Sequence, residues 1–158
     1  MKRMIILTIS FVFLFSCATI HDIETKKAEG DAVIETFNYS YEEVFDAIKF
    51  VIRHSENWIV NLSSRSTVAD YNKEDKVIVI NIVTMASVDM GIFFEPSDNS
   101  RTKVFFVEGA FTGAAWRGTK IKAIIEEAQY YLANGEEAYR KYTHEKEEKR
   151  KEEDSKRL

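Results

Sequence analysis

Residues 77–107 read VIVINIVTMASVDMGIFFEPSDNSRTKVFFV, and this stretch decides the fold. From Val77 to Val83 only Asn81 interrupts a run of β-branched and apolar residues. A run that short and that continuous predicts a central strand covered on both faces. From Val88 onward the pattern becomes alternation. Val88, Met90, Ile92 and Phe94 share one phase, and Asp89, Gly91, Phe93 and Glu95 share the other. Pro96 to Ser100 is a turn signal, and Lys103 to Val107 supplies the last strand. The connections are too short for crossovers, so consecutive strands are expected to pair antiparallel. Phe93 and Phe105 fall on the phase opposite Phe94 and Phe106. Both sheet faces then carry aromatics, and the second face needs a partner, a covering segment, or exposure as a sticky patch.

Working back from this core, Thr67–Tyr71 and Trp58–Leu62 read as strands, with a turn over residues 72–75. Ser40-Tyr-Glu-Glu43 is a capping-box pattern, and Tyr39 and Val44 are placed as a hydrophobic staple. Val44, Phe45, Ala47, Ile48, Val51 and Ile52 then recur at helical spacing. Ala32–Asn38 reads as a first strand. Working forward, Ile121, Ile124, Ile125, Ala128, Tyr131 and Leu132 form a second helical stripe, and Asn134-Gly135 is a break. From Glu136 to the end the chain carries eight acids and eight Lys/Arg, many in favourable i,i+4 order. No apolar residue falls between Tyr142 and Leu158, so this tail can be helical but has nothing to bury. The expectation is an α+β domain over residues 31–133. It has an antiparallel sheet of five to six strands in the order β-α-β-β-β-β-β-α, two helices packed on one face, and a charged helical tail over 134–158.

Little of this carries chemistry. GAAWRGTK, residues 113–120, sits between a predicted strand and helix as a phosphate-binding loop does, but Thr119 precedes Lys120 where that motif requires the reverse. The small residues let the loop pass close to the sheet, with Trp116 covering a core edge and Arg117 beside a weak anion site at the helix start. His21, His54 and His144 are dispersed and lack zinc spacing, so no metal or other cofactor is expected. No nucleophile elbow is present, and Asp70, Asp89 and Glu95 read as solvated carboxylates. The chain is therefore expected to be no enzyme. Lys2 and Arg3 contribute +2 to its net charge of −4 and the tail is balanced, so the body carries −6. An acidic body excludes nucleic acid as a partner. Phe93, Phe94, Phe105, Phe106 and Phe111 could fill the space between sheet and helix or line a pocket for an apolar ligand, and filling is the commoner outcome.

The first residues decide location. Lys2 and Arg3 precede twelve mainly apolar residues, Met4–Phe15. As a helix that run spans ~18 Å, short of a ~30 Å hydrocarbon core, so it reads as a signal-peptide core and residues 1–16 as removed. Residues 18–30, ATIHDIETKKAEG, lack a clear period and read as a flexible tether spanning ~20 Å. Leu14-Phe15-Ser16-Cys17 resembles a bacterial lipobox, cut before its cysteine, with Phe15 the one departure from the family pattern. The resemblance implies a diacylglyceryl group on Cys17 and a further acyl chain on its amine. Ala18 in the next position implies sorting to the outer membrane, facing the periplasm. More than one chain gives stable anchoring, at ~0.8 kcal/mol per buried methylene. The element order of residues 31–133 loosely resembles the helix-grip domains of small envelope lipoproteins such as BamC. The expectation is thus a membrane-anchored, non-enzymatic module binding an envelope protein through the outer sheet face or the charged tail. The alternative is a small carrier of an apolar ligand held between sheet and helix.

Overall fold

The computed structural model describes residues 19–54, 67–82, 87–109 and 117–156. The elements are α1 (Ile20–Glu29), β1 (Val33–Phe37), α2 (Tyr41–His54), β2 (Thr67–Asn72), β3 (Val77–Ile82), β4 (Ser87–Asp98), β5 (Arg101–Glu108) and α3 (Arg117–Ser155). The α+β class follows directly: five strands form one antiparallel sheet in the order β1-β5-β4-β3-β2. Among the described residues β1 and β2 are consecutive strands yet lie at opposite edges, with α2 between them in the chain. The strand expected over Trp58–Leu62, and Phe111, lie outside the described residues.

The central run behaves as its composition requires. On the inner face Ile78, Ile80, Met90, Ile92, Phe94, Val104 and Phe106 pack against Val44, Phe45, Ile48, Val51 and Ile52 of α2 and Ile121, Ile124 and Ala128 of α3. Phe45 and Phe94 meet with ring centroids 5.1 Å apart. Fully burying one such side chain contributes ~1.5–3 kcal/mol before entropy is counted. α2 begins as its sequence predicts. The Ser40 backbone N–H donates to Glu43 Oε2 at 2.9 Å, and the Glu43 N–H donates back to Ser40 Oγ at 3.4 Å.

Three expectations are corrected. Pro96 does not begin the turn. It continues β4 opposite Thr102, and the register shifts between Pro96 and Asp98, the kind of irregularity where a sheet tolerates proline.

The presumed tether is a helix. Thr19 caps α1, its hydroxyl accepting from the Asp22 N–H while Asp22 accepts from the Thr19 N–H at 2.6 Å. Those bonds hold the Asp22 carboxyl below its usual range. Gly30 ends the helix at φ 85°, a left-handed conformation that glycine adopts without strain.

The charged tail is not unpacked. α3 contains one non-helical residue, Gly135, at φ 81° and ψ 176°. A straight helix separates residues twelve apart by ~18 Å. Here Tyr130 and Tyr142 stack at 4.5 Å, and the Tyr139 hydroxyl donates to Glu127 Oε2 at 2.6 Å. The chain therefore doubles back at Gly135 into a helical hairpin. Tyr139 is fully buried beside Phe50 and Tyr131. Tyr139, with Tyr142 stacked on Tyr130, docks the segment that showed no apolar stripe, and beyond Lys146 the described side chains are largely exposed.

Candidate functional site: the outer face and the helix that covers it

Alternation along β3, β4 and β5 places Val77, Val79, Phe93, Phe105 and Val107 together on the outer face. Of the three fates open to this face, the structure shows a covering segment from the chain itself. α1 lies across β4 and β5. Ile23 is its one buried residue, at 0% exposure, and joins the outer-face cluster. Gly91 makes that possible. A Cβ at this position would stand 2.4 Å from Ile23 Cδ1 and 3.0 Å from Phe93 Cε2.

Charges complete the cover. The Lys27 ammonium sits 4.6 Å from the Phe105 ring centroid and 5.2 Å from that of Phe93. It also pairs with Glu95. Such cation–π contacts add ~0.5–1 kcal/mol at partly exposed sites. On the other flank of α1, Lys26 donates to the Glu108 carbonyl oxygen at 2.8 Å. Phe93 and Phe105, candidates for binding on sequence grounds, thus stand only 9% exposed beneath Lys27.

The other candidates do not converge. Cys17 and Trp116 lie outside the described residues, and Arg117 is the first residue of α3. Lys120 falls inside the first turn of α3 and lies 3.7 Å from the Asp89 carboxylate, which is buried and not solvated as its sequence suggested. Its partner is a carboxylate of the same chain, where a phosphate-loop lysine would face a ligand. Asp89 and Glu95 are six residues apart along one strand, ~20 Å at the rise of extended chain. Asp70 stands across from Val79 on β2. These carboxylates form no pair for acid–base work. Three or more metal-competent side chains do not cluster among the described residues. Among the same residues no helix is long and apolar enough to cross a membrane.

A cavity of about 220 Å³ opens between the C-terminal end of α1 and the start of α3. Lys26, Asp31, Glu108, Val33, Phe106 and Ile121 line it, charged and apolar groups mixed. It is smaller than the ~300–1,000 Å³ usual for a ligand pocket. The inner-face phenylalanines fill space instead: Phe94 and Phe106 are buried against Phe45, Tyr41 and the α3 stripe.

Sequence reasoning missed the cover itself. Its signals were present in Thr19-x-x-Asp22, the capping pattern already used to place α2, and in Gly30 eleven residues on. In comparisons with known proteins, no family model and no curated protein matches this chain.

Proposed function

We propose that the chain is a lipid-anchored module of the bacterial cell envelope that binds another envelope protein and performs no catalysis. The observation that carries this reading is Leu14-Phe15-Ser16-Cys17 behind a charged and then apolar leader. Acylation at Cys17 holds the body beside a bilayer, and Ala18 directs it to the outer membrane with its body in the periplasm.

The packing favours a binding module over a carrier. Helices close both sheet faces, and of the aromatics expected to line an apolar pocket Phe93, Phe94, Phe105 and Phe106 are consumed in the core. With α1 seated on the outer face, partner binding falls to other surfaces. Among the described residues β1 pairs only with β5. Val33 and Ile34 on it are nearly half exposed. An edge with apolar side chains that no described strand pairs suits addition of an extended segment from a partner, where main-chain hydrogen bonds supply affinity.

The test is recovery of partners from membranes with the anchored chain, in parallel with the double substitution Ile34→Lys and Thr36→Pro on the β1 edge. The expected result is loss of a specific envelope protein from the substituted chain, with unchanged circular dichroism. Globomycin should cause the uncleaved precursor to accumulate. Equal recovery from both chains overturns the edge reading. Mature protein with a free Cys17 thiol overturns the anchored one.

A further inference from the structure

Resting on the lipid-anchored reading above, we propose that the N-terminal turn of α1 lies in the membrane interface with Ile20 inserted, so that the body stands in one orientation on the bilayer.

The argument begins with how little chain remains. Cleavage before Cys17 leaves Cys17 and Ala18 ahead of the Thr19 cap. At ~3.6 Å per residue at most, Ile20 lies within about 11 Å of the acylated residue along the chain. That reach is comparable to the depth of the headgroup region, so this turn stays at the lipid surface. What it presents is apolar. Ile20 is 45% exposed, one of three large apolar side chains so exposed among the described residues.

The rest of α1 faces elsewhere. A helix lying flat in the interface carries an apolar face toward lipid and a Lys/Arg-rich polar face. α1 instead commits Ile23 to the sheet and both its lysines to the body, Lys26 on the Glu108 carbonyl and Lys27 on Glu95 and the Phe93 and Phe105 rings. Its exposed flank includes Glu24 and Glu29, which an anionic leaflet repels, whereas the one acid of the first turn, Asp22, has its carboxylate engaged by the Thr19 N–H and hydroxyl. Contact is therefore made by the end of the helix and not by its flank. The Ile23–Gly91 contact joins that end to the sheet.

The experiment uses acylated full-length mature protein in vesicles of phosphatidylethanolamine and phosphatidylglycerol containing a nitroxide-labelled phospholipid. Acylation blocks Cys17, so an introduced cysteine takes an environment-sensitive fluorophore alone. Ile20→Cys and, as a neighbouring variant, His21→Cys should both show blue-shifted, strongly quenched emission. Glu152→Cys, far along α3, should show neither. An Ile20→Asp substitution placed in the His21→Cys background should at least halve the quenching and leave the melting curve unchanged. Quenching at residues 20 and 21 no greater than at residue 152, in protein that floats with the vesicles, overturns the proposal and leaves the anchor standing. Protein that carries no acyl mass and does not float overturns both.

Discussion

Ile23 of α1 occupies the space that Gly91 of β4 leaves open on the outer face of the sheet. The glycine serves here by having no side chain, since the closest atoms to a Cβ would belong to Ile23 and Phe93.

Gly91→Ala should therefore destabilise the protein by about 1–3 kcal/mol, the usual cost of overpacking a filled site. Ile23→Ala alone should cost about 2–5 kcal/mol through the cavity it leaves. The two together should cost less than their sum, because each removes the reason for the other's effect. Denaturant melts of the four proteins in the cycle measure the coupling, and strict additivity would show that α1 is not seated in this notch.

The hairpin in α3 gives a second test. Tyr139→Phe keeps the packing but leaves the buried Glu127 carboxylate with Lys146, 3.1 Å away, and without its hydroxyl donor. A loss of about 1–3 kcal/mol is expected, as for other buried groups deprived of a partner. Burial first, and then the bond to Glu127, push the Tyr139 phenol far above its ordinary range. Alkaline difference spectra should therefore show Tyr139 ionising only on unfolding, a contribution that Tyr139→Phe removes.

Truncation separates the docked from the undocked part of the same segment. A stop after Asn134 removes Tyr139 and uncovers Phe50 and Tyr131. The melting temperature should then fall by several degrees, at ~4–8 °C per kcal/mol for a domain of this core size. A stop after Glu148 keeps Tyr139, Tyr142 and Lys146 and should leave it within about a degree, as for surface changes generally. Equal effects from both stops would contradict the hairpin.

In the β4–β5 turn, Asp98 accepts from the Ser100 backbone N–H at 2.8 Å, from Arg101 Nε at 2.8 Å and from the Ser100 hydroxyl at 2.9 Å. These bonds lower its carboxyl to about 2. A depressed folded value means the contribution is fully present above the unfolded pKa of 3.8. It is lost as pH falls from there through about 2. A carbon-detected NMR titration should place the Asp98 midpoint near 2, and Asp98→Asn should flatten the stability profile between those limits. A midpoint near 4 would refute the turn geometry.

Lys76 ends the β2–β3 turn at φ 55°, a left-handed conformation that costs a side-chain-bearing residue ~1–2 kcal/mol. Glycine removes that cost and restores part of it as chain entropy, ~0.5–1 kcal/mol. The expected order of stability is Gly at or above Lys, with Val clearly below both, read from midpoints of urea unfolding.

How much of this was legible depends on how each element earns its place. α2 announced itself through Ser40, Glu43 and seven buried positions at helical spacing. The strands announced themselves through the unbroken run in β3 and the alternation in β4. α1 has the same kind of cap as α2 but buries only Ile23. A single apolar contact makes no stripe, and its worth depends on Gly91, 68 residues away in the chain. Tyr139 escaped for the same reason: one ring in a charged segment has value only where Phe50, Tyr131 and Glu127 converge. The candidate site followed that divide. The sequence phases placed Phe93 and Phe105 together correctly, whereas the identity of what covers them is a tertiary fact.

The cover also sets an order of assembly. α1 precedes the strands in the chain, yet the surface it seats on does not exist until β4 and β5 have paired, and Lys27 meets Glu95 across 67 intervening positions. Closing so long a loop is slow compared with forming the hairpins of the sheet. Until α1 seats, Phe93, Phe105 and Val79 on the outer face have nothing among the described elements to cover them. A chain with its strands paired and α1 unseated would expose an aromatic face, the kind of surface that favours self-association.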